Sequence, residues 1–137
     1  MEYNLERFRD AHRDDYDTAL REIKEGRKQS HWMWYIFPQI QGLGHSTMAM
    51  HYGIQNADEA LAYWNDPQLR NHMVEICVEL LKLNESIIWI MGYTDHLKLR
   101  SCMTLFWMVT GEPLFKNVLD KFYDGQLDEY TKEKLSK

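Results

Sequence analysis

The chain is poor in cysteine, proline and glycine, with 2, 3 and 7 of them among 137 residues. Cys77 and Cys102 cannot build a disulfide framework, so a reducing, cytoplasmic setting is expected. Long apolar runs are also missing. The run from Trp32 to Phe37 falls far short of the ~20 residues a membrane-spanning helix needs, and Met1-Glu2-Tyr3-Asn4 lacks the basic and apolar regions of a signal peptide. Positive charge is scarce, 16 Lys+Arg against 21 Asp+Glu, for a net charge of −5. That balance disfavours a general grip on phosphate backbones, which comes from clustered Lys and Arg, and so disfavours nucleic acid as a partner. The most informative absence is local: from Gln29 to Ala57 there is no Asp, Glu, Lys or Arg, although 27% of the chain is charged.

What is present suffices for a core. An apolar fraction of 45%, with 13% aromatics, argues against disorder. Leu5, Phe8, Ala11 and His12 recur at helical spacing, as do Tyr16, Ala19, Leu20 and Ile23 after an expected break at Asp14-Asp15, and Gly26 reads as the stop. Asn56 with Glu59 forms a capping-box pattern for a helix through Trp64. Asp66-Pro67 starts another, with Leu69, Met73, Ile76, Cys77, Leu80 and Leu81 on one stripe. Ser86 to Met91 fits a strand or a buried turn of helix. Helix is chosen, because Asn84 could cap it, Gly92 could end it and no second strand is in sight. Thr94 or Asp95 opens a helix to about Val109 whose apolar residues surround the axis, so it should be central. Pro113 starts a helix stopped by Gly125, and an exposed, fraying helix is expected near Asp128 to Leu135. The expectation is one all-α domain over residues 1–137, a compact array of about seven or eight short helices.

Within the charge-free window, His31, Trp34 and Tyr35 would share one side of a helical turn, with Trp32 and Ile36 on the other. Pro38 halts the turn, and Gly42 and Gly44 permit a tight bend or close approach. The block from Lys28 to Gln39, then Gly42-Leu43-Gly44 and Ser46, resembles the signature of an uncharacterised, mostly bacterial family called domain of unknown function 1810. Asp95, Lys98-Leu99, Ser101, Met103 to Phe106, Val118-Leu119, Gly125, Asp128 and Thr131 resemble its later blocks. The resemblance covers almost the entire chain and implies a mainly helical fold, but no established activity. It departs at His12, where Gln is the family's pattern, and at Cys102, where a second Ser is.

The candidate site is a neutral, aromatic-lined pocket where residues 30–46 meet the helix beginning at Asp95. Its expected ligand is a small planar molecule, such as a nucleotide or nucleoside derivative, with hydrolase or transferase chemistry as an extension. His31 in an apolar setting would be neutral and suited to proton transfer, with Asp95 as the other proton-transfer group. Trp32 and Trp34 offer stacking faces, and Gln39, Gly42, Gly44 and Ser46 the neutral polar minimum of a small pocket. Lys98, Ser101 and Thr104 form a polar line on one helix face, with Lys98 and Ser101 taken as ligand contacts. The ordinary alternatives are a satisfied core histidine, core tryptophans, turn chemistry and an i,i+3 ion pair between Asp95 and Lys98. No metal-ligand spacing is present, and no cofactor motif identifies a cofactor. The competing class is a protein-interaction module that uses the window as an apolar groove, with a second copy of the chain among its partners.

Overall fold

The computed structural model describes residues 3–136, and these fold into nine helices with one isolated parallel bridge, Ile40 to Ile54, and no longer strand. The first, α1 (Glu6–Lys24), is continuous. No break occurs at Asp14-Asp15, because the apolar stripe of Phe8, Ala11, Tyr16, Ala19 and Ile23 keeps its helical period while Asp14 faces solvent. The charge-free window holds α2 (Met33–Ile36) and α3 (Thr47–Tyr52), short elements that raise the helix count above the expected seven or eight. The segment before α3 is tied to the residues after it, the Gln41 amide donating to the Ile54 carbonyl and the Ile54 amide to that of Gln39, both at 2.8 Å.

The strongest local signals give the expected helices. α4 (Ala57–Asn65) is capped by the Asn56 side chain, and Glu59 reaches back to the Gln55 amide. α5 (Pro67–Leu81) starts where Asp66 accepts from the Gln68 and Leu69 amides, with proline at the position whose amide has no partner anyway. The run at 87–91 is helical, α6 (Ile87–Met91). Its cap is Ser86 rather than Asn84, and Gly92 ends it at φ 89°, a left-handed conformation that favours glycine.

α7 (His96–Thr110) is central, packed against α4, α6, α8 (Pro113–Tyr123) and α9 (Glu129–Leu135). Leu99, Cys102, Met103, Leu105 and Phe106 are fully buried, although Leu97 and Met108 at its two ends are exposed, so its apolar surface is not covered all round. α9 is docked rather than loose: Thr131 is buried, and the Asp128 amide that opens the helix donates to Thr104 Oγ1 on α7. Among the described residues no helix is long and apolar enough to cross a membrane.

Candidate functional site

Two segments some 60 residues apart in sequence meet at one concavity of about 400 Å³. One wall is the stretch from Lys28 to Trp34, omitting Trp32. The other is the turn from α6 into α7, from Met91 through Asp95, together with Lys98. The first wall is held from behind by Glu22 of α1. Its carboxylate accepts from the Gln29 and Ser30 amides, from Ser30 Oγ and from Trp32 Nε1 at 2.5–2.9 Å. Burial alone would raise the Glu22 pKa, but these four donors outweigh it and hold the group at about 2. The second wall is tied to the first by the Lys28 amide, which donates to the Ile90 carbonyl.

Asp95 sits at the junction. Its Oδ2 lies 2.8 Å from Lys28 Nζ and its Oδ1 2.9 Å from Lys98 Nζ. Burial pushes its carboxyl upward, but Lys28 and then Lys98 reverse this and keep it below the usual carboxylate range. Each ammonium also rests on an indole face, Lys28 over Trp32 at 4.9 Å and Lys98 over Trp34 at 4.8 Å. Burial of Lys28, whose side chain is 7% exposed, is therefore matched by a carboxylate, a carbonyl and an aromatic face.

Four of the expected site residues meet here: His31, Trp34, Asp95 and Lys98. His31 is exposed, so the apolar setting expected for it is not what the fold provides. Trp32 is in the core, with its indole nitrogen committed to Glu22, and its ring backs Lys28 without lining the cavity. Gln39, Gly42 and Gly44 lie on the other side of Trp34, around a separate hollow of about 10 Å³, room for about one water molecule. The glycines there serve packing. Gly42 has φ 106°, and a Cβ on it would lie 2.0 Å from Tyr130 Oη; a Cβ on Gly44 would lie 3.0 Å from that of Ala49. Ser46 caps α3 through the Ala49 amide. The polar line on α7 is internal too, Ser101 Oγ donating to the Leu97 carbonyl and Thr104 Oγ1 to that of Arg100, both side chains buried.

Sequence reasoning did not select Lys28, Gly92, Tyr93 or Thr94 as site residues. The position of Lys28 as the last charge before the neutral window was the available signal; nothing in the local pattern marked Tyr93, which is 81% exposed. Cys102 and Cys77 are buried, and burial raises both thiols far from the reactive thiolate. Among the described residues no group of three or more His, Cys, Asp or Glu is arranged to hold a metal ion.

A search of curated proteins finds no match. Among solved structures, the chain is similar to the conserved hypothetical protein Rv1873 from Mycobacterium tuberculosis. The two are 38% identical, with 98% of each chain covered and a TM-score of 0.96. The model of the family described as protein of unknown function (DUF1810) matches residues 2–135, so nearly the whole chain, both cavity walls included, belongs to the DUF1810 family.

Proposed function

We propose that this protein binds a small planar ligand, of the size of a nucleoside or nucleotide, in the concavity between the Lys28–Trp34 segment and the α6–α7 turn. The observation that carries this reading is the convergence of His31 and Trp34 with Asp95 and Lys98 on a single cavity. Its volume falls in the range of about 300–1,000 Å³ typical of ligand sites. Half-buried Trp34 and exposed Tyr93 supply aromatic surface, while Thr94, His31 and the two lysines supply polar contacts.

The arrangement favours binding over turnover. Asp95 is bound on both oxygens by ammonium groups, which makes it an anchor for the lysines and a poor general base. A hydrolytic or transfer reaction would draw its proton-transfer group from His31. The alternative of an apolar groove within the neutral window finds little surface there, because Trp32 and Phe37 are both in the core. Titration with a panel of nucleosides, nucleotides and other planar metabolites tests the reading. A saturable change in thermal stability with at least one of them, weakened in Trp34→Ala, is the expected result; no shift with any compound would overturn it.

A further inference from the structure

We infer that the cavity is an oxyanion site, in which a carboxylate or phosphate group of the ligand accepts the remaining hydrogen bonds of the Lys28 and Lys98 ammonium groups. The inference rests on the planar-ligand reading for where the ligand sits, and on charge and donor accounting for its chemical class.

Two ammonium groups and one carboxylate face this cavity, and Asp95 is the single acidic side chain in its wall. Both Asp95 oxygens are taken, one by each lysine. One positive charge thus has no counter-charge in the wall, in a molecule whose overall charge is −5. The hydrogen bonds show the same shortfall. An ammonium has three N–H donors. Lys28 spends two, on Asp95 and on the Ser30 carbonyl at 2.5 Å; Lys98 spends two, on Asp95 and on the Thr94 carbonyl at 3.3 Å. The indole faces of Trp32 and Trp34 attract the cations but bring no negative charge.

Glu22, behind the first wall, keeps its negative charge, but it does not line the cavity, and its oxygens are taken by the four donors that shape the 29–32 loop, so it offers neither lysine an acceptor. An anion with two or more oxygens supplies both the missing charge and the acceptors. Burial of Lys28 keeps its ammonium away from bulk solvent, so an ion pair formed there is screened less than one in water. Trp34, on the same wall, lies beside Lys98 and leaves a ring attached to the oxyanion an aromatic neighbour.

The test uses probes matched in their ring: phenyl phosphate, benzoate and benzyl alcohol, with inorganic phosphate as the ring-free control. Each is titrated at fixed ionic strength while the amide and indole NMR signals of Trp34, Gly92 and Thr94 are followed. Phenyl phosphate or benzoate is expected to move these signals saturably and at least about tenfold more tightly than benzyl alcohol, and the comparison of the two identifies the preferred oxyanion. Lys98→Gln is expected to weaken the anion about tenfold or more, the scale of one charge-assisted hydrogen bond. Lys28→Gln should do the same, and because Lys98 is the less buried of the two, Lys98→Gln carries the test should the Lys28 variant fail to fold.

Equal affinity for benzyl alcohol and the anions would overturn the oxyanion site and leave the planar-ligand reading standing. Inorganic phosphate binding as tightly as phenyl phosphate would do the reverse. Absence of saturable anion binding, or anion binding unchanged in Lys98→Gln, also overturns the inference.

Discussion

His12 shows how much one side chain can be constrained by its hydrogen bonds. Its Nε2 lies 2.8 Å from the Tyr35 carbonyl and must carry the hydrogen, so Nδ1 is left as an acceptor, 2.9 Å from His72 Nδ1, which then donates. Tyr16 stacks on His72 and gives its own hydroxyl to Glu75. A second proton on His12 has no place, and burial, reinforced by the neighbouring His72 and opposed by Tyr35 and Asp66, lowers its pKa from 6.5 to about 4. The unfolded chain therefore binds more protons than the folded one between those values. The stabilisation is complete above about pH 6.5 and is lost as the pH falls toward 4, a change of roughly 3 kcal/mol. Glu22 adds a second loss, from about pH 4.5 down to 2. In His12→Gln the amide can still donate to Tyr35 and accept from His72. Urea unfolding should then show stability within about 1 kcal/mol of the parent at pH 7.5 and no decline between pH 6.5 and 4.5 beyond that of other groups. An unchanged decline would place the transition elsewhere. His12 stood out in the sequence as a departure from the pattern expected by resemblance, but its pairing with His72, 60 positions away, had no local signal.

Among the elements, the helices whose ends carry chemistry were the legible ones. Asn56, Asp66-Pro67 and Pro113 start α4, α5 and α8 where capping and proline rules put them. α3 escaped notice because none of its residues is buried, so it has no apolar stripe to read. The cavity was legible as a pairing of the window with the start of α7, since both segments stood out chemically. Ser101 was misplaced because a polar line on a buried helix can be absorbed by its own backbone carbonyls, as happens here. What joins α1 to α4 and the end of the window was invisible, because it is a single guanidinium. Arg7 donates to Glu59 at 2.9 Å and to the carbonyls of His51 and Gly53, with the Glu59 side chain completely buried. Removing one partner leaves the other charged and enclosed. Arg7→Ala and Glu59→Ala are each expected to cost about 3–5 kcal/mol, read by denaturant unfolding, with the double variant losing much less than the sum. Additive losses would mean that the pair does not act as a unit.

At the scale of the molecule, the charge-free window plays two roles. Its aromatic residues Trp32 and Phe37 fill the core together with Ile40, while Gln29, Ser30, His31, Met33 and the half-buried Trp34 line the cavity. Burial accounts for the neutrality of that block, because charges are costly there, whereas the exposed stretch through α3 is neutral without that reason. The charges that line the cavity come from the window's flank, at Lys28, and from the start of a distant helix, at Asp95 and Lys98. Composition could locate the neighbourhood but not separate the roles, since burial depends on contacts between segments far apart in sequence.

The two cysteines, one on α5 and one on α7, have no access to solvent. An alkylating reagent can reach either sulfur only when the packing between these helices opens, so the native protein contains two internal clocks. With iodoacetamide in excess, both are expected to be modified at one common rate, which tracks the unfolding equilibrium as urea is raised. Faster labelling of Cys77 than of Cys102 would reveal that the α5 side separates first, without unfolding of the whole.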